Sequence, residues 1–164
     1  MAIPSRYANP ARIVSNARTF FITSSIQGKR SLLQSDRSAK LFIEVLYEYR
    51  TQSGYLLHEF VVMPDHFHLL LTVAELSVER AVQLVKGGFA FRAGKMFGFK
   101  APVWQKGFSE IRVLDEGAYA NQRRYIHNNP VERHLVERAE EYPYSSAHAG
   151  FELDPPPQGL KPPS

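Results

Sequence analysis

The sequence predicts an α+β domain. Short apolar runs at 19–26, 55–62 and 66–72 read as strands, segments at 36–50 and 77–89 carry a helical apolar period, and a turn at 63–65 joins two strands directly. Taken in order, residues 1–16 hold Pro4, Arg6, Pro10 and Arg12 with little periodicity and read as an exposed basic arm. Phe20, Phe21 and Ile22 mark the first strand. Ala39, Phe42, Ile43, Leu46 and Tyr49 fall at helical spacing, with Gly54 at the C-terminal stop. Met63-Pro64-Asp65 is a tight turn, because proline fixes one dihedral and aspartate tolerates turn geometry, so 55–72 is a hairpin. Ser77 caps a helix with Val78, Ala81, Val82, Val85 and Phe89 on one face, which Gly87-Gly88 should fray or bend. Val103-Trp104 and Phe108–Leu114 are short extended pieces. Asp115 caps a last helix running to about Asn128, where Pro130 should stop it. Five prolines among the last ten residues predict a disordered tail. The chain thus divides into an arm (1–16), one domain (17–148) and a tail (149–164). A ferredoxin-like sandwich is the simplest closure: an antiparallel sheet covered on one face by the first two helices, with the last helix lying near the other.

Composition narrows the function. The 164 residues carry 20 basic and 16 acidic side chains, for a formal charge of +4, and no cysteine, which excludes a disulfide framework, a thiolate metal site and a cysteine nucleophile. There is no apolar run of ~18 residues and no signal-peptide core at the start, so a soluble cytoplasmic protein without a membrane partner is expected. The charge is unevenly distributed: 1–40 carries +6, 41–85 carries −4, 86–112 carries +5 and 113–164 carries −3. Alternating basic and acidic blocks suit a protein that meets a polyanion along one surface, although solvated lysine-rich loops would give the same pattern.

Two spacings carry possible chemistry. In a strand, side chains alternate, so His66 and His68 project from one face while Phe67, Leu69 and Leu71 point to the other. Two residues of rise separate the two Cα atoms by roughly 6.5 Å, from which both rings can converge on one ion. Two histidines bonded to backbone or water at a strand end fit the spacing equally well. In the last helix, Tyr125 and Asn129 lie four apart on one face. Asn129 offers a hard carbonyl ligand suited to magnesium or manganese, and Tyr125 offers a phenol. A core tyrosine and a helix-ending asparagine explain that pair as well. Arg123 and Arg124 precede the tyrosine and suit an approaching phosphate.

Four blocks together carry a family resemblance: Phe60-Val-Val-Met-Pro-Asp-His-Phe-His-Leu-Leu-Leu71, Val103-Trp-Gln-Lys-Gly-Phe108, Tyr125-Ile-His-Asn-Asn-Pro-Val131 and Tyr142-Pro-Tyr-Ser-Ser146. In this order, over about residues 18–148, they resemble the REP-associated tyrosine transposases, relatives of single-tyrosine transposases in the His–hydrophobic–His endonuclease superfamily. Tyr144 stands where tryptophan is commoner. The resemblance implies a ferredoxin-like fold, a divalent cation (magnesium or manganese), and cleavage of single-stranded DNA beside palindromic hairpins by a monomer or homodimer. It also implies His66, His68 and Asn129 as metal ligands and Tyr125 as the nucleophile that forms a 5′-phosphotyrosine. Lys86, Arg92, Lys95, Lys100 and Lys106, interleaved with Phe89, Phe91, Phe97, Phe99 and Trp104, suit backbone contact with base stacking. With them, Arg6, Arg12, Arg18, Arg123 and Arg124 are the candidate DNA-binding residues. Two other readings stay open: a zinc hydrolase completed by His58 or His127, and a non-catalytic single-stranded nucleic-acid-binding module.

Overall fold

The computed structural model describes residues 17–163, so the basic arm and its Arg6 and Arg12 lie outside the described residues. Strand β1 (Arg18–Ser25) leads through a short 3-10 turn at Gln27–Lys29 to helix α1 (Asp36–Ser53). The hairpin β2 (Leu56–Met63) and β3 (His66–Val73) follows, then α2 (Val78–Phe97), β4 (Ser109–Val113) and α3 (Glu116–Glu132). The sheet order is β2-β3-β1-β4 with every neighbouring pair antiparallel, as expected of a ferredoxin-like sandwich. No helix among the described residues is long and apolar enough to cross a membrane.

Alternation along the strands sorts the side chains into two layers. Ile22, Leu57, Phe60, Val62, Phe67, Leu69 and Leu71 join the apolar stripes of α1 and α2 in the larger core. Phe21, Val61, Met63, Leu70 and Val113 face the other way and are covered by Tyr119 and Ile126 of α3 and by Tyr142. The side-chain oxygens of Ser35, Ser77 and Asp115 accept backbone N–H bonds at the three helix starts, and Gly54 closes α1 in a left-handed conformation.

Three expectations are corrected. Helix α2 runs unbroken through Gly87-Gly88. Gly88 is a close approach of α2 to α1, since a Cβ there would sit 2.9 Å from Tyr49 Cε2 and 3.1 Å from Val45 Cγ1. Helix α3 likewise passes through Pro130 to Glu132. Proline forfeits one backbone bond near the end of the helix, while Ile126, Asn129 and Pro130 gain burial against the sheet, so tertiary packing outweighs the local penalty.

The third correction concerns the proline-rich end, whose described residues form a strap and not a disordered tail. Phe151 packs edge-on against Phe60 at 5.0 Å and Asp154 takes a bidentate ion pair from Arg50 at 2.9 Å, with Leu57 N–H adding a bond at 2.8 Å. Further on, Lys161 exchanges backbone bonds with Leu114 and Glu116. Proline's fixed φ serves an extended strap as readily as an unstructured tail, and the anchors are the side chains between the prolines.

The two adjacent glycines of α2 predict opposite outcomes. Gly87→Ala meets nothing within 4 Å and should stabilise the protein by about 0.8–1 kcal/mol, the helix-propensity difference. Gly88→Ala should lower stability, because Val45 and Tyr49 must move. Chemical denaturation of the two variants checks both signs.

Candidate functional site

The antiparallel pairing of β3 with β1 builds the floor of the site. It sets His66 opposite Ser25 and His68 opposite Thr23. Both imidazoles are nearly fully buried, with ring centroids 4.8 Å apart and planes at 81°. Each ring is oriented through its Nδ1. His66 Nδ1 is 2.7 Å from Asp65 Oδ1 in the hairpin turn, and His68 Nδ1 is 2.8 Å from Thr23 Oγ1. With Nδ1–H donating, each Nε2 keeps its lone pair free, as metal-binding histidines require. Phe21 stacks on the His68 ring at 5.3 Å and 13°, which prevents it from tilting.

Helix α3 supplies the opposite wall. Tyr125 is 49% exposed, and its ring stands edge-on to His68 at 5.1 Å and to Phe21 at 5.9 Å. Asn129, one turn later, is buried. Among the described residues, His68 Nε2 and Asn129 Oδ1 are the buried side-chain polar atoms with no hydrogen-bond partner. Leaving such atoms unpaired costs about 1–3 kcal/mol each, so a pair of them needs an explanation. A divalent cation fits: the carboxamide oxygen is a hard donor of the kind magnesium and manganese take, while imidazole nitrogens favour transition metals, so manganese accommodates the mixed set better than magnesium. Burial pulls the His68 pKa down to about 3, with His66 and Arg133 adding to the shift, so the ring is neutral and able to ligate at physiological pH. His66 is also held below its ordinary value by burial, against the opposing pull of Asp65.

A buried carboxylate holds α3 in place. The β2–β3 register slips between Leu57 and Glu59, a bulge that turns both His58 and Glu59 toward α3. Glu59 Oε1 accepts from His127 Nε2 and from Ser146 Oγ, both at 2.7 Å, and Oε2 accepts from Arg123 Nε at 3.1 Å. Burial opposes its ionisation, but the His127 and Ser146 bonds and the nearby charges outweigh that and hold its pKa below the ordinary value. His58 Nε2 bonds Thr72 Oγ1 at 2.7 Å. Both histidines that would complete a zinc set with His66 and His68 are therefore engaged elsewhere, and no group of three His, Asp or Glu side chains placed to hold a metal occurs among the described residues.

The candidate DNA-binding residues are not gathered at this site. Lys86, Arg92 and Lys95 belong to α2, on the opposite face of the sheet. Lys86 Nζ donates to the carbonyls of Gln105 and Gly107 and lies 5.7 Å from the Trp104 ring. Trp104 packs against Phe42, Phe67 and Phe89 and donates Nε1–H to Lys86 O, so its half-buried ring belongs to the core and offers no free stacking platform. Arg92 is paired with Glu44 and Glu48, Lys95 lies over Phe91 at 4.7 Å, and Arg123 is committed to Glu59. Arg124 reaches only Asn121 Oδ1 on the helix surface, while Arg18, Lys100 and Lys106 are exposed. The sequence reading did not single out Phe21, Thr23, Glu59 and Asp65 as site residues. Only Asp65, adjacent to His66 in a turn, carried a local signal.

A model of the family described as "Transposase IS200 like" matches residues 16–129. A Haemophilus influenzae protein assigned as a REP-associated tyrosine transposase is 27% identical over 153 residues, covering 82% of this chain and 86% of its own. Among solved structures, a REP-associated tyrosine transposase bound to a REP hairpin superposes with a TM-score of 0.70 at 21% identity, over 79% of this chain and 76% of that one, a likeness of fold. A Deinococcus radiodurans R1 protein described as a transposase gives a TM-score of 0.54 at 26% identity, over 67% and 88% of the two chains.

The Glu59 contact predicts an acid-sensitive fold. Because the folded carboxyl titrates below its ordinary 4.5, its stabilisation is fully present above that pH and is lost as pH falls through the folded value. Glu59→Gln should cost about 1–3 kcal/mol at pH 7, and the gap to the parent should close on acidification. Denaturant titrations between pH 7 and pH 3 measure that gap.

Proposed function

This chain belongs to the IS200-like transposase family, and from that premise we propose a cytoplasmic enzyme that cleaves and rejoins single-stranded DNA beside a palindromic hairpin. In this reading Tyr125 is the nucleophile, and His66, His68 and Asn129 hold a magnesium or manganese ion. The observation that carries it is one arrangement within a single chain: a solvent-open phenol beside His68, with His68 Nε2 and Asn129 Oδ1 left without partners. Hairpin DNA as the substrate is supported by the solved relative, which is bound to a REP hairpin, and by the Haemophilus relative's assignment.

The chemistry is transesterification. The Tyr125 oxygen bonds to phosphorus as the bond from phosphorus to the 3′ oxygen breaks, leaving a 5′-phosphotyrosine and a 3′-hydroxyl. The phenolic proton passes to water, to which Tyr125 is open, and the departing 3′ oxygen is protonated in turn. The phosphodiester energy is kept in the protein–DNA bond, so a later 3′-hydroxyl can reverse the step and rejoin a strand. A divalent cation bound at the site supplies Lewis-acid polarisation of the phosphate oxygens. The chain's own part is positioning: Asp65 and Thr23 fix the imidazoles, Phe21 braces His68, and Glu59 holds the helix that carries the phenol. Arg18, Lys106 and Arg124, with Arg6 and Arg12 of the arm, are the basic residues we assign to the DNA backbone.

Two measurements test the reading. Incubated with manganese and a single-stranded hairpin oligonucleotide, the protein should form a denaturation-resistant adduct that mass spectrometry locates on the Tyr125 peptide. Tyr125→Phe should bind the same DNA and give none; adduct at parental levels from that variant overturns the assignment, and parental binding without cleavage selects a non-catalytic module. Manganese at 100 times its Kd should stabilise the parent by about 2.7 kcal/mol. His68→Ala should abolish that stabilisation, read as a melting shift without DNA.

A further inference from the structure

Two cations that the sequence reading passed over approach the site from different elements. Along α3, Tyr125, Asn129 and Arg133 succeed one another at intervals of four, so Arg133 stands on the same helix face as the phenol and the carboxamide. Its backbone N–H bonds Asn129 O at 3.1 Å at the C-terminal end of the helix. Its charge acts on Asp65, His66 and His68. Lys29 comes from the turn after β1. Ile26 N–H is tied to Asp65 O at 2.8 Å, and Lys29 Nζ donates to Ser25 Oγ at 3.2 Å, the residue paired with His66 across the sheet. Lys29 acts on Asp65 and His66 as well.

Among the described residues neither cation is held by an acid. Both are exposed and neither has an ion-pair partner among the described residues, whereas Arg30, next to Lys29, donates to the carbonyls of Gln27 and Pro102. The one nearby carboxylate acting on both, Asp65, already receives the His66 ring. Lys29 is also held at φ 56°, directly after Gly28 at φ 70°, a left-handed conformation that costs a lysine roughly 1–2 kcal/mol. Such conformations persist only where the surroundings impose them, and they cluster at functional sites.

We propose that Lys29 and Arg133 form a two-cation clamp for backbone phosphates of the single strand that runs past Tyr125. The inference rests on the nuclease reading above and extends it by naming where the strand is held at the reacting site. One cation stands at the end of the tyrosine helix and the other on the turn that leaves β1, so a phosphate backbone lying between them passes the phenol. Both charges would then be neutralised by the substrate itself.

The test uses hairpin DNA with and without a single-stranded flank, in a Tyr125→Phe background without metal, so that binding is read apart from cleavage. Lys29→Asn tolerates the left-handed backbone, and Arg133→Gln keeps length and polarity. Together they should reduce the magnitude of the slope of log K against log salt for the flanked hairpin by about 1.4, or about 0.7 per lost single-strand phosphate contact. Affinity for the unflanked hairpin should not change. Arg80→Gln, an equal loss of charge per residue on α2, should leave both slopes as they were. An unchanged slope for the double variant on the flanked hairpin overturns the clamp while the nuclease reading stands. If the parent with Tyr125 intact neither binds nor forms an adduct with flanked hairpins, the nuclease reading falls and the clamp falls with it.

Discussion

The anchoring of α3 by the buried Glu59 carboxylate is the interaction on which the site depends. A carboxylate removed from water is stable only when its oxygens are bonded, and Glu59 is satisfied by His127 and Arg123 of α3 and by Ser146. Those two helix residues flank Tyr125 in the sequence, so satisfying the charge also sets the rotation and height of the helix over the sheet. Rotating α3 by one residue, roughly 100°, would turn Tyr125 away from His68 and strand the carboxylate at the same time. The bulge at His58 makes this possible, because regular alternation would send one of two consecutive polar residues into the opposite core.

The same economy appears on the histidine side of the site. Central strands β1 and β3 pair so that Thr23 and Phe21 brace His68 while Asp65 braces His66 from the turn. Each ring is held by a bond at one nitrogen and left open at the other, which is the state a ligand must have before a cation arrives. Burial keeps the His68 ring neutral, so proton competition for its nitrogen is weak near neutral pH. The remaining donor, Asn129, is carried by the helix that Glu59 fixes. The placement of the Asn129 carboxamide and that of the Tyr125 phenol are therefore set by one docking event.

Charge is organised by layer. Arg92, Lys86 and Lys95 of α2 engage the acidic face of α1, loop carbonyls and an aromatic ring, respectively, which helps hold the two-helix layer and the 104–107 loop together. Lys29 and Arg133, exposed and without an acidic partner among the described residues, stand instead on the histidine side of the sheet. The edge of β2 is closed by backbone bonds from Tyr144 and Ser146, and the strap from Phe151 to Lys161 runs from α1 and β2 to the start of α3. The block Tyr142-Pro-Tyr-Ser-Ser146 thus has a structural duty: it seals a strand edge and supplies Ser146 to Glu59.

Most elements of this fold were legible in the sequence, because period, caps and turns are local. Ser77 and Asp115 announce helices, Met63-Pro64-Asp65 announces the hairpin, and alternation alone puts His66 and His68 on one face, as helical spacing does for Tyr125 and Asn129. Sequence and structure differ where a local penalty competes with a distant gain: Gly88, a weak point by helix propensity, is a helix contact, Pro130, a stop by its missing N–H, is buried inside a helix, and the prolines near the end belong to an anchored strap. Which basic residues are free was equally invisible, since Arg92 pairs with acids 44 and 48 positions away and Arg123 with one 64 positions away, in a chain where nothing local marks those partners. The residue types of the site and the face each occupies follow from the sequence by itself. That the two faces meet, and that a carboxylate on a bulge holds them there, was decided only by tertiary packing, because the energy of bringing distant elements together depends on partners that no local spacing specifies.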